Sequence, residues 1–257
     1  MTTADTSLAA AQYAQLSQQI EAQNLQHLEY GTSGAKTVTL SFHVRSSKTG
    51  SYSITIYKDD ATTYLFSKSY TIDSADTWEK KTITITPDSN IKASGGAIAN
   101  DNGIGFYVFW NLAGGTTYDD ATDNAWSSNT NHIHTSSQVN WLDSTSNNFY
   151  LTGVQLEIGE TATPFEHEDF GTTLAKCERY YETLLQHTGS FSIIATFRAG
   201  TDYRAQWIFK TEKRAAPTMG GSFSATITTT YVSTQMASYY KSDGDFYGGA
   251  LTADAEL

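Results

Sequence analysis

The amino-acid sequence predicts an all-β protein, and three observations carry that reading. Apolar and polar residues alternate in several short runs, turn-forming clusters separate the runs, and no long helical pattern intervenes. Val38, Leu40, Phe42 and Val44 alternate with Thr37, Thr39, Ser41 and His43, so each set occupies one face of a half-buried strand. Lys48-Thr49-Gly50 supplies a turn, after which Tyr52, Ile54 and Ile56 resume the pattern. Further strands are expected at Tyr64–Thr71, Trp78–Thr86, Gly103–Leu112 and Phe149–Ile158. In the run from Gly103, the residues Ile104, Phe106, Val108, Trp110 and Leu112 form the inward row. Turn chemistry at Lys58-Asp59-Asp60, Ser74-Ala75-Asp76 and Pro87-Asp88-Ser89 divides them, as in a β-sandwich.

The start of the chain reads in two ways. Leu16, Ile20, Leu25 and Leu28 fit a helical stripe, and they fit equally a strand through Gln15–Ile20 followed by a helical turn at Asn24–Leu28. The stretch Ala113–Asn140 breaks the rhythm with Gly, Asp, Asn, Ser and Thr around isolated aromatics. A loop of that length is usually functional or partly disordered. After Pro164 the pattern changes. Thr172 or Thr173 is placed to cap a short helix, with Leu174, Cys177, Tyr181 and Leu184 on one face. Strand-like runs follow at Phe191–Arg198, Tyr203–Lys210, Ser222–Tyr231 and Ala250–Leu257. The reading is a sandwich over residues 1–168, then a smaller β-domain over 169–257 reached through the short helix.

Composition narrows the function classes. Charged residues make up 17% of the 257, and aromatics 13%, with 16 tyrosines. Sheets whose outer faces carry hydroxyls and amides have this chemistry. A net charge of -11 with no basic cluster disfavours nucleic acid, and no apolar run is long enough to span a membrane. The single Cys177 permits no intrachain disulfide and matches no zinc pattern, so folding in a reducing cytoplasm is expected. The opening MTTADTSLAAAQYAQ has neither a basic nor an apolar region of the secretory kind.

The segment FYLTGVQLEIGETATPFEHEDFGTTLAKCERYY (Phe149–Tyr181) resembles a block of phage and prophage tail-fibre and other virion proteins. IEAQNLQHL, KTVTLSFHVRSSKTGSY, SYTIDSADTWEKKTITI and AWSSNT upstream, and KRAAPT and ADAEL downstream, resemble the same proteins in the same order. The first module is also similar to the jelly-roll sandwich of carbohydrate-binding modules. The resemblance implies a virion component, assembled in the host cytoplasm and acting outside it, that recognises glycan on the host surface. Its expected partners are other virion proteins in a homotrimer or larger assembly. A head fibre or capsid-decorating protein touching only virion proteins is the alternative, and the sugar-binding module of a secreted glycosidase is a third. Glu168 stands where the family's block carries Arg after PFEH. The family also has a strand-bearing segment ahead of the stretch matching Ala4–Leu28. Its place is expected to be filled by a strand from another chain, or by Met1–Leu28 folding back.

No catalytic constellation emerges: G-x-S-x-G, H-E-x-x-H and the phosphate-binding loop are all missing. Cys177, on an apolar stripe, reads as core. Glu157, Glu160, Glu166 and Glu168 include no pair recognisable as a glycosidase acid and base. No cofactor is expected. For glycan, Trp126 in its polar loop is the stacking candidate, with Tyr118, Asp119, Asp120, Asp123 and Asn124 to orient the sugar. The competing reading folds Trp126 back to plug the end of the sandwich. Asp119, Asp120 and Asp123 lack calcium-loop spacing. Tyr107 and Phe109 point away from the inward row and are expected at an oligomer interface. His132-Ile133-His134 would put two imidazoles on one face of an extended segment, as in fibres that bind a metal on a threefold axis; solvent-facing histidines are the plainer reading.

Overall fold

The structure is a computed structural model that describes residues 2–184, 195–197, 203–221, 228–241 and 251–256. It is built almost wholly of antiparallel sheets and divides into two compact units, Met1–Glu166 and His167–Leu257.

In the first unit the strands are β1 (Tyr13–Glu21), β2 (Val38–Ser46), β3 (Gly50–Lys58), β4 (Tyr64–Ile72), β5 (Glu79–Ile85), β6 (Ile104–Gly114), β7 (Ala125–Ser127) and β8 (Phe149–Ile158). One sheet has the order β1-β6-β3-β4-β7 and the other β5-β2-β8. The predicted alternation is realised: Val38, Leu40, Phe42 and Val44 are buried against Tyr52, Ile54, Ile56, Phe106, Val108 and Trp110. Phe42 joins the two sheets, its ring edge-on to Tyr70 at 5.3 Å and to Trp110 at 6.0 Å between centroids.

At the start of the chain the strand reading is the one found. β1 pairs antiparallel with β6 from Tyr13↔Gly114 to Glu21↔Ile104, and a 3-10 turn over Ala22–Leu28 buries Leu25 and Leu28. This corrects the expectation of a strand donated by another chain, because the position beside β6 is filled from within.

Strand β8 contains a bulge that periodicity alone does not show. Leu151 and Leu156 both pack on the core, although five positions apart they should face opposite ways. One extra residue resolves the conflict. The register with β2 shifts between Ser41↔Gln155 and His43↔Thr152, and Gly153 takes a left-handed φ of 59° there. Tyr150, Gln155 and Glu157 are thereby set on the outer face.

The second unit holds α1 (Phe170–Glu178), β9 (Tyr181–Leu184), β10 (Ala195–Phe197), β11 (Tyr203–Ile208), β12 (Thr218–Gly221), β13 (Thr228–Val232), β14 (Met236–Lys241) and β15 (Leu251–Asp254). Its sheets run β10-β11-β14-β13 and β12-β15-β9. Parts of the expected strands (191–194, 198, 222–227, 250 and 257) lie outside the described residues. The helix cap is Asp169, not Thr172 or Thr173: its carboxylate accepts from the Thr172 amide at 3.0 Å and the Thr172 hydroxyl at 2.6 Å. Tyr181 and Leu184 belong to β9, so the expected helical stripe stops short. The helix buries no residue, and Cys177 is an exposed free thiol, not a core side chain.

Three of the motifs that suggested a family meet at one structural knot here. Lys213 of KRAAPT is fully buried, and its ammonium pairs with Glu182 at 2.7 Å and donates to the Glu178 carbonyl. The Arg214 amide donates to Arg179 O at 3.1 Å, and its guanidinium to Ala255 O and Glu256 O, both at 3.0 Å. The Ala255 amide donates to Tyr180 O at 2.7 Å. The segments CERYY, KRAAPT and ADAEL therefore hold one another together.

Candidate functional site

The long loop after β6 lies on the outer face of the five-stranded sheet. That face alternates with the core row and presents Ser53, Thr55, Ser67 and Asn111, all buried. The loop brings backbone carbonyls to them. Ser67 donates to His132 O at 2.8 Å, and Ser67, Thr55 and Asn111 all donate to Ile133 O. Ser69 and Thr135 exchange a hydroxyl bond at 2.9 Å, and the Val139 amide donates to Ser51 O at 2.8 Å. Each group left unpaired there would cost about 1–3 kcal/mol, so the loop is a fitted cover.

The predicted glycan residues are dispersed by this arrangement. Trp126 is only 9% exposed. It sits in β7 opposite Phe66, packs on Phe66 and Tyr30, and donates its indole N–H to Thr86 O at 3.0 Å. The ring closes the sandwich and offers no face to a ligand, which corrects its assignment as a stacking platform. Asp123 pairs with Lys68 at 2.7 Å and accepts from the Ser69 amide at 2.6 Å. Burial works against its charge, but these partners prevail and hold its pKa below the ordinary carboxylate range. Asn124 is a left-handed turn residue, φ 61°, donating its amide to Ser67 O. Tyr118 packs edge-on against Tyr13 at 5.3 Å. Asp119 is half-buried, and Asp120 is exposed and bridges to Thr135 through the backbone. The cluster forms turns and ties; the structure does not gather it round a cleft.

Nor do the two histidines make a common face. His134 is buried, with Nδ1 3.1 Å from Thr135 O, and burial lowers its pKa below 6.5. His132 is partly exposed, 3.9 Å from Asp120. Among the described residues no group of three His, Cys, Asp or Glu side chains is arranged to hold a metal. Tyr107 and Phe109 do project from the outer face as expected, and Tyr57 joins them: Tyr57–Tyr107 and Tyr107–Phe109 centroids are each 5.5 Å apart. Phe109 is nonetheless nearly buried and the two tyrosines are half-buried.

The more open aromatic surface is on the other sheet. Across its outer face Arg45 of β2 stands opposite Tyr150 of β8. Trp78, one residue before β5, continues the same row beyond the Val44↔Glu79 pair. Trp78 is 46% exposed and Tyr150 48%. Their ring centroids are 6.4 Å apart, and the Arg45 guanidinium carbon lies 5.3 Å from the Tyr150 ring centre. The next row carries Lys80, His43 and Thr152. Farther along, the return segment after β8 covers the sheet. Glu157 accepts from the Thr163 amide and hydroxyl, both at 2.8 Å, and Gln155 accepts from the Glu166 amide at 2.8 Å. Those bonds, the Thr163 hydroxyl foremost, lower the Glu157 pKa. The QLE and ATPFEH motifs thus form a clasp over part of the face, while Trp78, Lys80 and Thr82 along β5 stay exposed.

Sequence reasoning passed over Trp78 and Tyr150 because each sits at a strand end, where a large aromatic reads as core. The available signal was parity: Trp78 falls in phase with Lys80 and Thr82 of β5 and out of phase with Ile83 and Ile85. Comparisons of the chain with protein-family models, with curated proteins and with solved structures found no match.

Proposed function

We propose that this chain is a non-enzymatic component of a tailed-phage virion that adheres to host surface glycan through the outer face of the β5-β2-β8 sheet. The observation that carries the reading is the Trp78–Arg45–Tyr150 row, two half-exposed rings flanking a guanidinium on a rigid sheet. Pyranose rings stack their C–H faces on such aromatics, and their hydroxyls bond to the polar groups between. The virion setting rests on the motif resemblance, and the two-unit all-β build agrees with it. A non-catalytic role fits the carboxylates: Glu157 is committed to Thr163, and Glu168 to Lys176.

The Tyr57, Tyr107 and Phe109 group favours a second contact of a different kind. The half-buried rings of Tyr57 and Tyr107, backed by the buried Phe109, suit packing against another virion chain, in a homotrimer or larger assembly. On the alternative reading, a head fibre or capsid-decorating protein, every surface of this kind is covered by virion protein.

The test is retention of the purified protein on immobilised host-surface polysaccharide, comparing wild type with Trp78→Ala and Tyr150→Ala. Loss of retention in both variants with unchanged urea midpoints is expected. Retention unaffected by either substitution would remove the platform from the proposal, and released reducing sugar would overturn the non-enzymatic part.

A further inference from the structure

The chain carries a net charge of -11, and most of its described lysines are paired with carboxylates. At the uncovered end of the β5-β2-β8 face the cations are held more loosely. The Arg45 side chain makes no hydrogen bond among the described residues, and its Nε is shut away from solvent with no partner. Its guanidinium forms only a long, half-exposed ion pair with Asp76, Nη2 to Oδ1 3.8 Å, outside hydrogen-bonding distance. One row along, the exposed Lys80 forms no ion pair among the described residues, although Glu157 lies near enough to feel its charge. His43, beside Lys80, has its Nδ1 about where a side chain at Gly153 would reach. A guanidinium and an ammonium therefore stand on adjacent rows of one sheet face, bordered by two rings that would stack a sugar.

Neutral sugars have no need of such a pair. A hexuronate or sialate does, because a guanidinium can meet its carboxylate with two parallel N–H donors while an apolar C–H face of the sugar stacks. We infer that the ligand of this face is a carboxylate-bearing saccharide, its carboxylate held by Arg45 with Lys80 adding charge and its ring stacked on Trp78 or Tyr150. The inference rests on the glycan-adhesion reading and adds the sign and shape of the ligand's charge.

The experiment measures binding to a panel of polygalacturonate, polymannuronate, hyaluronate and polysialate, each beside its carboxyl-reduced counterpart, with dextran sulfate as an anion lacking carboxylates. Wild type is expected to bind at least one acidic polymer and to lose about tenfold in affinity on carboxyl reduction, the scale of one charge-assisted pair. Arg45→Met should reproduce that loss, and Arg45→Lys should not restore it, because an ammonium cannot make the two-pronged contact. Urea midpoints establish that the variants are folded. Equal binding to the reduced polymers, still lost in Trp78→Ala, would overturn the acidic inference and leave glycan adhesion standing. Equal binding to dextran sulfate, insensitive to Trp78→Ala, would reduce the face to a general anion site and overturn it as well. Binding to no polymer of either series would overturn both readings.

Discussion

The two outer faces of the sandwich solve the same problem in opposite ways. On the five-stranded sheet, small hydroxyl and amide side chains lie flat enough for a loop to settle on them, and its carbonyls complete their hydrogen bonds. On the three-stranded sheet the clasp formed by Gln155 and Glu157 covers one end, while Trp78 and Tyr150 stand too tall at the other for backbone to approach. Side-chain size on the outward positions thus decides which surface becomes interior and which stays available. Polarity alone does not, since polar side chains stand on both outer faces.

The largest test of this contrast is a pair of tryptophan truncations. Trp126→Ala removes a core ring and should cost about 3–5 kcal/mol, seen as a large fall in urea midpoint. Trp78→Ala should fall within about 0.5 kcal/mol, as for a surface site. Similar losses for both would erase the distinction drawn between the faces. Next in size, Thr55→Val removes a hydroxyl that bonds the Ile133 carbonyl without changing shape. A cost of about 1 kcal/mol is expected, with faster amide exchange confined to residues 131–139. Exchange that rises uniformly across the unit would mean the cover is not separately held.

A smaller effect is set by pH. Burial keeps the folded-state pKa of His134 below 6.5, with the bond to Thr135 O and the charge of Asp119 only partly opposing it. Between the folded value and 6.5 the unfolded chain holds a proton that the folded chain lacks, so stability falls as pH drops through that window and levels off below it. His134→Gln should flatten the slope. An unchanged slope in the variant would move the effect to another group.

Much of the fold was legible because a half-buried strand writes its two faces into alternate positions, as Val38 to Val44 and Tyr52 to Ile56 do. Strand β8 was legible as a strand but not as a bulged one, since five-residue spacing of Leu151 and Leu156 has meaning only once β2 fixes the register. The helix cap was misread because Asp169 competes with two later threonines that are equally good cap types. The site was the least legible part. Trp126 looks exposed in a polar stretch, and nothing local says that β7 pairs with β4 and turns the ring inward. Arg45, Trp78 and Tyr150 come from three strands, so only the sheet order makes them neighbours.

The way the cover is fastened has a consequence for what its sequence is free to become. The sheet grips His132 and Ile133 by their carbonyl oxygens, and every residue type carries the same carbonyl. Asn129, Thr130 and Asn131, just before the grip, are exposed, and their bonds stay within the loop, to one another and to Ser127, His132 and Ile133. Substitutions at their side chains therefore go unread by the scaffold so long as the backbone path survives. The segment combines a fixed anchorage with open spelling, which makes it the natural place to graft an epitope or a reporter without disturbing the sandwich beneath.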